Sequence, residues 1–413
     1  RDPHAGPTLH CFIDADHDRI TIGGVASGGR QPHWSPASVG RARRLCQPVR
    51  VPVLTVVVDQ LLAPVPGGTG RYAREITAAL AAHPRPGWQV RTVTAWHREP
   101  SRARIAGADG PHRLPVGRRV LAQAWQYGAP PIVRGDRVHA TTPLAPPRRR
   151  ALVVTVHDAV PWTHPETLTE RGVRWHRAMV GRAARFADAI VVPSTAVADD
   201  LAGLFPAAAD RIAVIGHGVT TLAAPADAAR RRDRLGLHDR YVLAVATLEP
   251  RKGLDVLIEA MARPGATGAQ LVIVGSPGWG GIDVPAAAAA AGLAAERVKV
   301  LGRIPDDDLA AVLAGAGLLA APSRAEGFGL PVLEAMAAGV PVVVSDAPAL
   351  VELVGSAGLI ARREDAGDLA DRIGTVLTDD AVAADLAVRG RARAAQFTWA
   401  AAADQLWQLH TGR

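Results

Sequence analysis

The sequence reads as an α/β protein made of two doubly wound domains facing each other across a cleft. Three observations lead there. From Val53 onward, short β-branched runs alternate with Ala, Leu and Arg-rich stretches of helical period, the pattern of repeated βαβ units and a parallel sheet. The runs fall into two series separated by residues 216–236, a Gly, Pro, Ala and Arg-rich stretch suited to a hinge. With 413 residues and 48% apolar side chains, the chain has enough material for two cores.

Taken in order, residues 1–50 are rich in Gly, Pro, His and Arg, show no sustained periodicity and lack both a start methionine and the apolar core of a signal peptide. They are expected to form a poorly ordered extension; translated upstream sequence ahead of a natural start near Val51 would look the same. The first domain, 51–222, takes its strands from 53–58 (VLTVVV), 90–93 (VRTV), 152–156 (LVVTV), 189–192 (AIVV) and 212–215 (IAVI). The second, 233–395, takes them from 241–246, 271–274, 298–301, 318–320 and 340–344.

Charge and cysteine usage narrow the function. Lys plus Arg number 47 against 39 Asp plus Glu, a net charge of +8 carried almost wholly by arginine, since Lys252 and Lys299 are the only lysines. Such a balance favours polyanions, phosphorylated ligands or an anionic lipid surface. The arginines are scattered, with neither an aromatic-studded basic strip nor a zinc-finger spacing, so nucleic acid is not an expected partner. The longest stretch of low polarity, 286–295, falls far short of the ~20 residues of a membrane helix, which makes the protein soluble or peripheral. Both cysteines, Cys11 and Cys46, lie in the first 50 residues, so thiol chemistry is excluded beyond them and a reducing cytoplasm fits.

In doubly wound sheets, ligands bind at the carboxyl ends of strands, so the segments after the strand runs carry the chemistry. The most informative is 321–346, APSRAEGFGLPVLEAMAAGVPVVVSD. Glu326 stands in a glycine-punctuated loop, Pro331 where a first helical turn begins, and Glu334 in the next turn. On an uninterrupted helix, eight residues would rotate one carboxylate from the other by about 80°. The loop at 327–329 lets both reach one ligand, and the N–H groups of Phe328, Gly329 and Leu330 make an anion site at the helix start. A solvated helix with an N-terminal acid fits the same two glutamates. In TLEPRKG, 247–253, Arg251 offers a planar fork and Lys252 a point charge to a diphosphate, although an exposed basic pair is the commoner arrangement. In PGGTGRY, 66–72, Gly68 and Gly70 allow close backbone approach where a helix dipole points at phosphate, or make a plain tight turn. In TVHDAVP, 155–161, His157 ends a strand; a lone histidine is most often structural. Gly275, Ser276 and Arg303 also follow strand runs. Asp306–Asp308 invite a metal, but acids after Pro305 and before an Ala/Leu helix suit a helix start better.

Together these strings resemble glycosyltransferase family 4, retaining enzymes of the GT-B fold, over about Val53 to Trp407. SxxEGFGLPxLEAMAxGxPVVxSD resembles that family's E-x7-E signature. The resemblance implies that Glu326 binds the hydroxyls of a donor sugar and Glu334 the ribose of its nucleotide. It assigns Arg251 and Lys252 to the diphosphate, and Gly68 and Gly70 to a loop closing over donor and acceptor. Phe328, Gly329, Leu330, Gly275 and Arg303 would line the nucleotide site, and His157 would approach acceptor and donor sugar with Asp158 as its orienting neighbour. Many members carry Arg where this chain has Thr247, so that contact is absent or made elsewhere. The terminal helix from 396 to 413 would pack back toward the first domain.

The implied activity is retaining, metal-independent transfer of a hexose to an acceptor hydroxyl of a glycan or glycolipid, in cell-envelope polysaccharide synthesis. TLEPRKG and HDAVPWTHPE look closest to members using GDP-mannose, ahead of UDP-glucose or another nucleotide hexose, and no cofactor beyond that co-substrate is implied. Loops 96–115 and 127–150, rich in Arg and Pro, suit a lipid-phosphate or membrane-surface acceptor, and a solvated basic face suits them equally. The expected location is cytoplasmic, with a peripheral position on the inner face of the plasma membrane as an alternative. A phosphorylase-like enzyme would need a lysine for pyridoxal phosphate, for which only Lys252 and Lys299 are present. An epimerase or hydrolase of the same fold and a catalytically silent nucleotide-sugar-binding scaffold stand as alternatives.

Overall fold

The computed structural model describes residues 9–14, 19–24, 51–237, 240–266, 268–278 and 280–412. The chain divides into two compact units, 1–51 and 52–413. In the first unit β1 (Leu9–Asp14) pairs antiparallel with β2 (Arg19–Gly24), Ile13 opposite Ile20. RITIGG alternates with a period of two, a strand pattern set among Gly, Pro and His-rich sequence. The rest of the expected extension lies outside the described residues.

The second unit holds two parallel sheets. The first domain has seven strands, β3 (Val53–Val57), β4 (Gln89–Trp96), β5 (Asp109–Gly117), β6 (Arg137–Ala140), β7 (Ala151–Thr155), β8 (Ala189–Val192) and β9 (Ile212–Val214), in the order β5-β4-β3-β6-β7-β8-β9. Its helices are α1 (Gly67–Ala82), α2 (Arg118–Gln126), α3 (Val160–Thr163), α4 (Glu170–Phe186) and α5 (Thr195–Leu204). β-Branched residues favour these short strands because a parallel sheet is covered on both faces. Along β3, Leu54 and Val56 enter the core layer shared with Tyr72 and Ile76 of α1, while Val57 enters the opposite layer with Leu121 and Trp125 of α2.

The second domain begins with α6 (Ala228–Arg234), which forms inside the segment expected to be a linker. Its sheet runs β12-β11-β10-β13-β14-β15, from β10 (Tyr241–Val245), β11 (Leu271–Val274), β12 (Val298–Gly302), β13 (Ala316–Ala321), β14 (Val342–Ser345) and β15 (Leu359–Ala361). Helices α7 (Leu254–Ala262), α8 (Val284–Ala290), α9 (Asp306–Gly315), α10 (Leu330–Ala338), α11 (Pro348–Val354), α12 (Ala366–Thr378) and α13 (Asp380–Ala394) surround it.

The last helix, α14 (Trp399–Thr411), starts at Thr398, whose hydroxyl accepts the Ala401 N–H at 3.1 Å. It leaves the second domain and buries Ala402, Ala403, Leu406 and Trp407 in the first domain's α1-side core layer. The crossing is pinned by the Val219 N–H on the Phe397 carbonyl (3.0 Å) and by Trp399 Nε1 on Thr220 Oγ1 (3.0 Å). No helix among the described residues is long and apolar enough to cross a membrane.

Three strands in this unit lie where the sequence pattern showed none. β5 and β6 fall within the stretches expected to be acceptor loops. β5 carries Pro111 and Pro115, tolerated because it is an edge strand with register shifts against β4. β6 (RVHA) has its apolar run broken by Arg137 and His139, and β15 (LIA) has only three residues.

Candidate active site

The loop between β13 and α10 and the turn between β10 and α7 meet at one carboxylate. Glu326 is 12% exposed, and its Oε1 accepts the Ser323 hydroxyl (3.0 Å) and the Lys252 ammonium, while Oε2 accepts Arg251 Nη1 at 3.2 Å. Arg251 also donates to the Ala325 carbonyl (3.0 Å) and to Glu249 Oε1 (2.6 Å). Burial pushes the Glu326 carboxyl up, but the adjoining Lys252 and Arg251 charges outweigh it and hold the group at about 2. Burial likewise weakens the Arg251 cation, and Glu326, Asp158 and Glu249 more than reverse this. The expected donor-sugar and diphosphate groups therefore form one ion-paired cluster. A small open space beside it is bordered by Lys252, Glu326, Ser323, Gly329 and Pro331.

Helix α10 starts at this cluster. Gly329 takes φ 103°, a region suited to glycine, and turns the chain from loop into helix. No side chain caps the helix and Pro331 has no N–H, so the Leu330 N–H is among the unpaired donors of the first turn. Phe328 and Leu330 are buried. The start of α1 lies against the start of α10, a Cβ on Gly68 falling 3.8 Å from Leu330 Cδ1. Two helix N-termini with their positive dipole ends thus meet, that of α10 beside Lys252.

One turn into α10, Glu334 is only 7% exposed, and its Oε1 accepts Arg71 Nη1 from α1 at 2.7 Å. Arg71 Nη2 reaches Asp306 Oδ1 at 3.1 Å. Burial lifts the Glu334 carboxyl above its ordinary range, and Arg71 pulls it only part of the way back. Asp306, Asp307 and Asp308 form the first turn of α9, Asp308 pairing with Arg231 at 2.7 Å. Among the described residues no group of three or more His, Cys, Asp or Glu is arranged to hold a metal ion.

His157 follows β7 and faces this cluster from the first domain. Its Nε2 lies 2.9 Å from the Thr141 carbonyl, which can only accept, so Nε2 carries the proton and Nδ1 is the acceptor. Burial lowers its basicity and keeps the ring neutral. Thr141 therefore orients the ring. Asp158, expected in that role, instead accepts the Val160 N–H at 3.2 Å. The ring packs edge-on against Tyr72 (4.9 Å) and His217 (5.5 Å), and His217 touches Phe328 at 4.7 Å.

The two domains are closed on each other. Gly327 lies so near the His157 carbonyl that a Cβ there would collide with it, and the Gly327 carbonyl accepts the Ser194 hydroxyl at 2.8 Å. Glu352 of α11 caps the start of α5, accepting Thr195 N–H and Oγ1 (both 3.0 Å) and Ala196 N–H (3.3 Å).

The structure thus brings Glu326, Arg251, Lys252, Gly329, Leu330, Glu334 and Gly68 around the converging helix starts, with Phe328 linked through His217 to His157. Three other expected positions lie in the following surroundings. Gly70 is buried against the Pro66 side chain. Gly275 backs onto the Ala246 carbonyl and donates to Gly302 (2.9 Å), which is close packing between strands. Arg303 is exposed. Arg71, Thr141, Ser194, His217, Ser323 and Glu352 were missed. Arg71 and Ser323 stand inside strings already singled out, whereas Thr141 and Glu352 act on partners far away in sequence and leave no local trace.

Comparison with known proteins bears on this arrangement. Residues 226–393 match the glycosyl transferases group 1, and residues 66–221 match Glycosyltransferase Family 4. The O-antigen chain mannosyltransferase B of Escherichia coli is 34% identical over 266 residues, 62% of this chain and 68% of that protein. A D-inositol 3-phosphate glycosyltransferase of Nocardia farcinica is 35% identical over 248 residues, and this chain spans only 55% of its length. Among solved structures, Anabaena HepE in complex with UDP and glucose superimposes with a TM-score of 0.67 at 23% identity, covering 88% of this chain and all of that one. With both halves of the matched family on the two sheets, and the E-x7-E loop and Arg–Lys turn at their junction, the chain belongs to the family 4, group 1 glycosyltransferases of the GT-B fold.

Proposed function

We propose that this glycosyltransferase moves a hexose, mannose from GDP-mannose in the first instance, to a hydroxyl of a glycan or lipid-linked glycan, with retention and without a metal. The observation that carries the reading is the Glu326–Lys252–Arg251 cluster at the point where α1 and α10 start, opposite His157. Departure of a nucleoside diphosphate builds negative charge on one side of the anomeric carbon while the sugar becomes oxocarbenium-like. Arg251, Lys252 and the Leu330 N–H answer that charge in place, the work a divalent cation performs in other transferases. Glu326, held ionised, accepts donor-sugar hydroxyls, and Glu334 accepts those of the ribose. Neutral His157, its Nδ1 open as an acceptor, orients the incoming hydroxyl. Domain closure excludes the water that would otherwise take the sugar. The mannosyl donor draws support from the TLEPRKG string and the Escherichia coli relative's name. Basic residues of the first domain, such as exposed Arg171 and Arg174, suit an acceptor held at an anionic membrane surface.

The test is GDP release from GDP-mannose in the presence of a glycolipid extract, with and without EDTA. Extract-dependent release that survives EDTA and disappears in Glu326→Ala is expected. Release that EDTA abolishes and manganese restores would contradict the metal-free reading; release without acceptor product would point to hydrolysis.

A further inference from the structure

Arg71 reaches Glu334 from the first domain, and the geometry around it asks what happens when a nucleotide arrives. This inference rests on the reading that Glu334 receives the ribose. In the closed structure, Arg71 Nη1 lies 2.7 Å from Glu334 Oε1 and Nη2 lies 3.1 Å from Asp306 Oδ1. Glu334 is almost wholly buried, so its charge requires a partner there, whereas Asp306 is 73% exposed and does not. Arg251 and Lys252, assigned above to the same diphosphate, pair with Glu326 and not with Glu334.

A nucleoside diphosphate carries both halves of an exchange. Its ribose hydroxyls satisfy Glu334, which releases the guanidinium, and its phosphates take the guanidinium that has been released. Arg71 stands in the first turns of α1, whose start abuts the start of α10, and its planar fork suits a diphosphate. We propose that Arg71 is a phosphate-binding residue supplied by the first domain, held on Glu334 in the unliganded state and handed to the diphosphate when the ribose takes Glu334. It thereby couples nucleotide occupancy to closure, because its phosphate contact forms only when the two domains meet.

The proposal makes nucleoside and nucleoside diphosphate respond in opposite directions. Guanosine, GDP, uridine and UDP are titrated calorimetrically at pH 8 into the wild-type protein, Arg71→Ala and Arg71→Lys. In Arg71→Ala the nucleoside binds more tightly, because Glu334 no longer has to give up a guanidinium, while its diphosphate binds at least roughly tenfold more weakly. Arg71→Lys keeps diphosphate affinity within a few-fold. Tightening of both ligands would make Arg71 a simple latch, weakening of both would make it only a prop for Glu334, and no change would remove it from the site; each overturns the proposal. Should Arg71→Ala fail to fold, Arg71→Gln is measured in its place against the same criteria. Glu334→Ala separates the underlying reading: if its nucleoside affinity equals that of the wild type, the ribose assignment fails first.

Discussion

Glu326 shows how much of a site one residue can organise. Two cations and a hydroxyl converge on its carboxylate, so it stays ionised in a place where burial alone would neutralise it. Lys252→Ala removes the cation that shares Oε1 with Ser323 and leaves Arg251 to answer the leaving diphosphate. The expected result is a loss in kcat/KM on the order of 10²-fold, measured by donor consumption in a variant whose circular dichroism matches the wild type. Undiminished activity in the Arg251→Ala/Lys252→Ala double variant would contradict the phosphate role. Acid stability follows from the same residues. Glu326 titrates at about 2 in the folded protein against an ordinary 4.5, so the stability it lends is complete above pH 4.5 and drains away toward pH 2. The buried histidines act earlier. Burial holds His139 at about 3 and His217 and His410 well below 6.5, so the unfolded chain takes up protons first and stability falls as the pH drops below 6.5. The urea midpoint should therefore decline steadily between pH 7.5 and 5; a flat midpoint over that range would refute it. Glu326, Glu334, Arg251 and Lys252 were legible because each stands in a compact local string. His217 was not, because nothing nearby in sequence foretells a ring buried among Tyr72, Phe328 and Trp399.

Elements were legible where a strand was long enough to show β-branching and its neighbours long enough to show helical period. β8 and β11 match the sequence reading residue for residue, and other ends move by one to several positions. β6 escaped because Arg137 and His139 interrupt its apolar run, although Val138, His139 and Ala140 are buried. The element that decides function is the 327–329 turn, since it carries one domain onto the other. Gly327→Ala places a methyl against the His157 carbonyl while leaving the second domain's core untouched. Turnover should fall by about 10²-fold because the reacting groups are held apart, with little change in Tm. Wild-type turnover in that variant would show that the contact between Gly327 and His157 is dispensable.

At the scale of the whole molecule, closure is built from a few polar contacts over a small aromatic patch. Glu352 on the α5 terminus, Ser194 on Gly327 and Arg71 on Glu334 all cross the cleft, and none lies in either domain's hydrophobic core. A capping contact of this kind contributes about 0.5–2 kcal/mol, enough to bias a hinge without locking it. Glu352→Ala should shift the unliganded protein toward an open form with a larger radius of gyration by small-angle X-ray scattering, and donor should restore compactness; an unchanged radius would place the latch elsewhere. The two-domain plan was legible because strand series and hinge composition are averages over many residues. The closed geometry was not, since it depends on pairs more than 100 positions apart such as Arg71 and Glu334.

The most direct measurement is thermal denaturation of the wild type and Glu334→Ala with GDP-mannose, UDP-glucose, UDP-N-acetylglucosamine, GDP and UDP. A guanine-selective rise in Tm that disappears in the variant is the expected result. A uridine-selective rise would replace the donor while leaving glycosyl transfer in place. No rise with any of the five would contradict a nucleotide-sugar site at Glu334 and favour a silent scaffold.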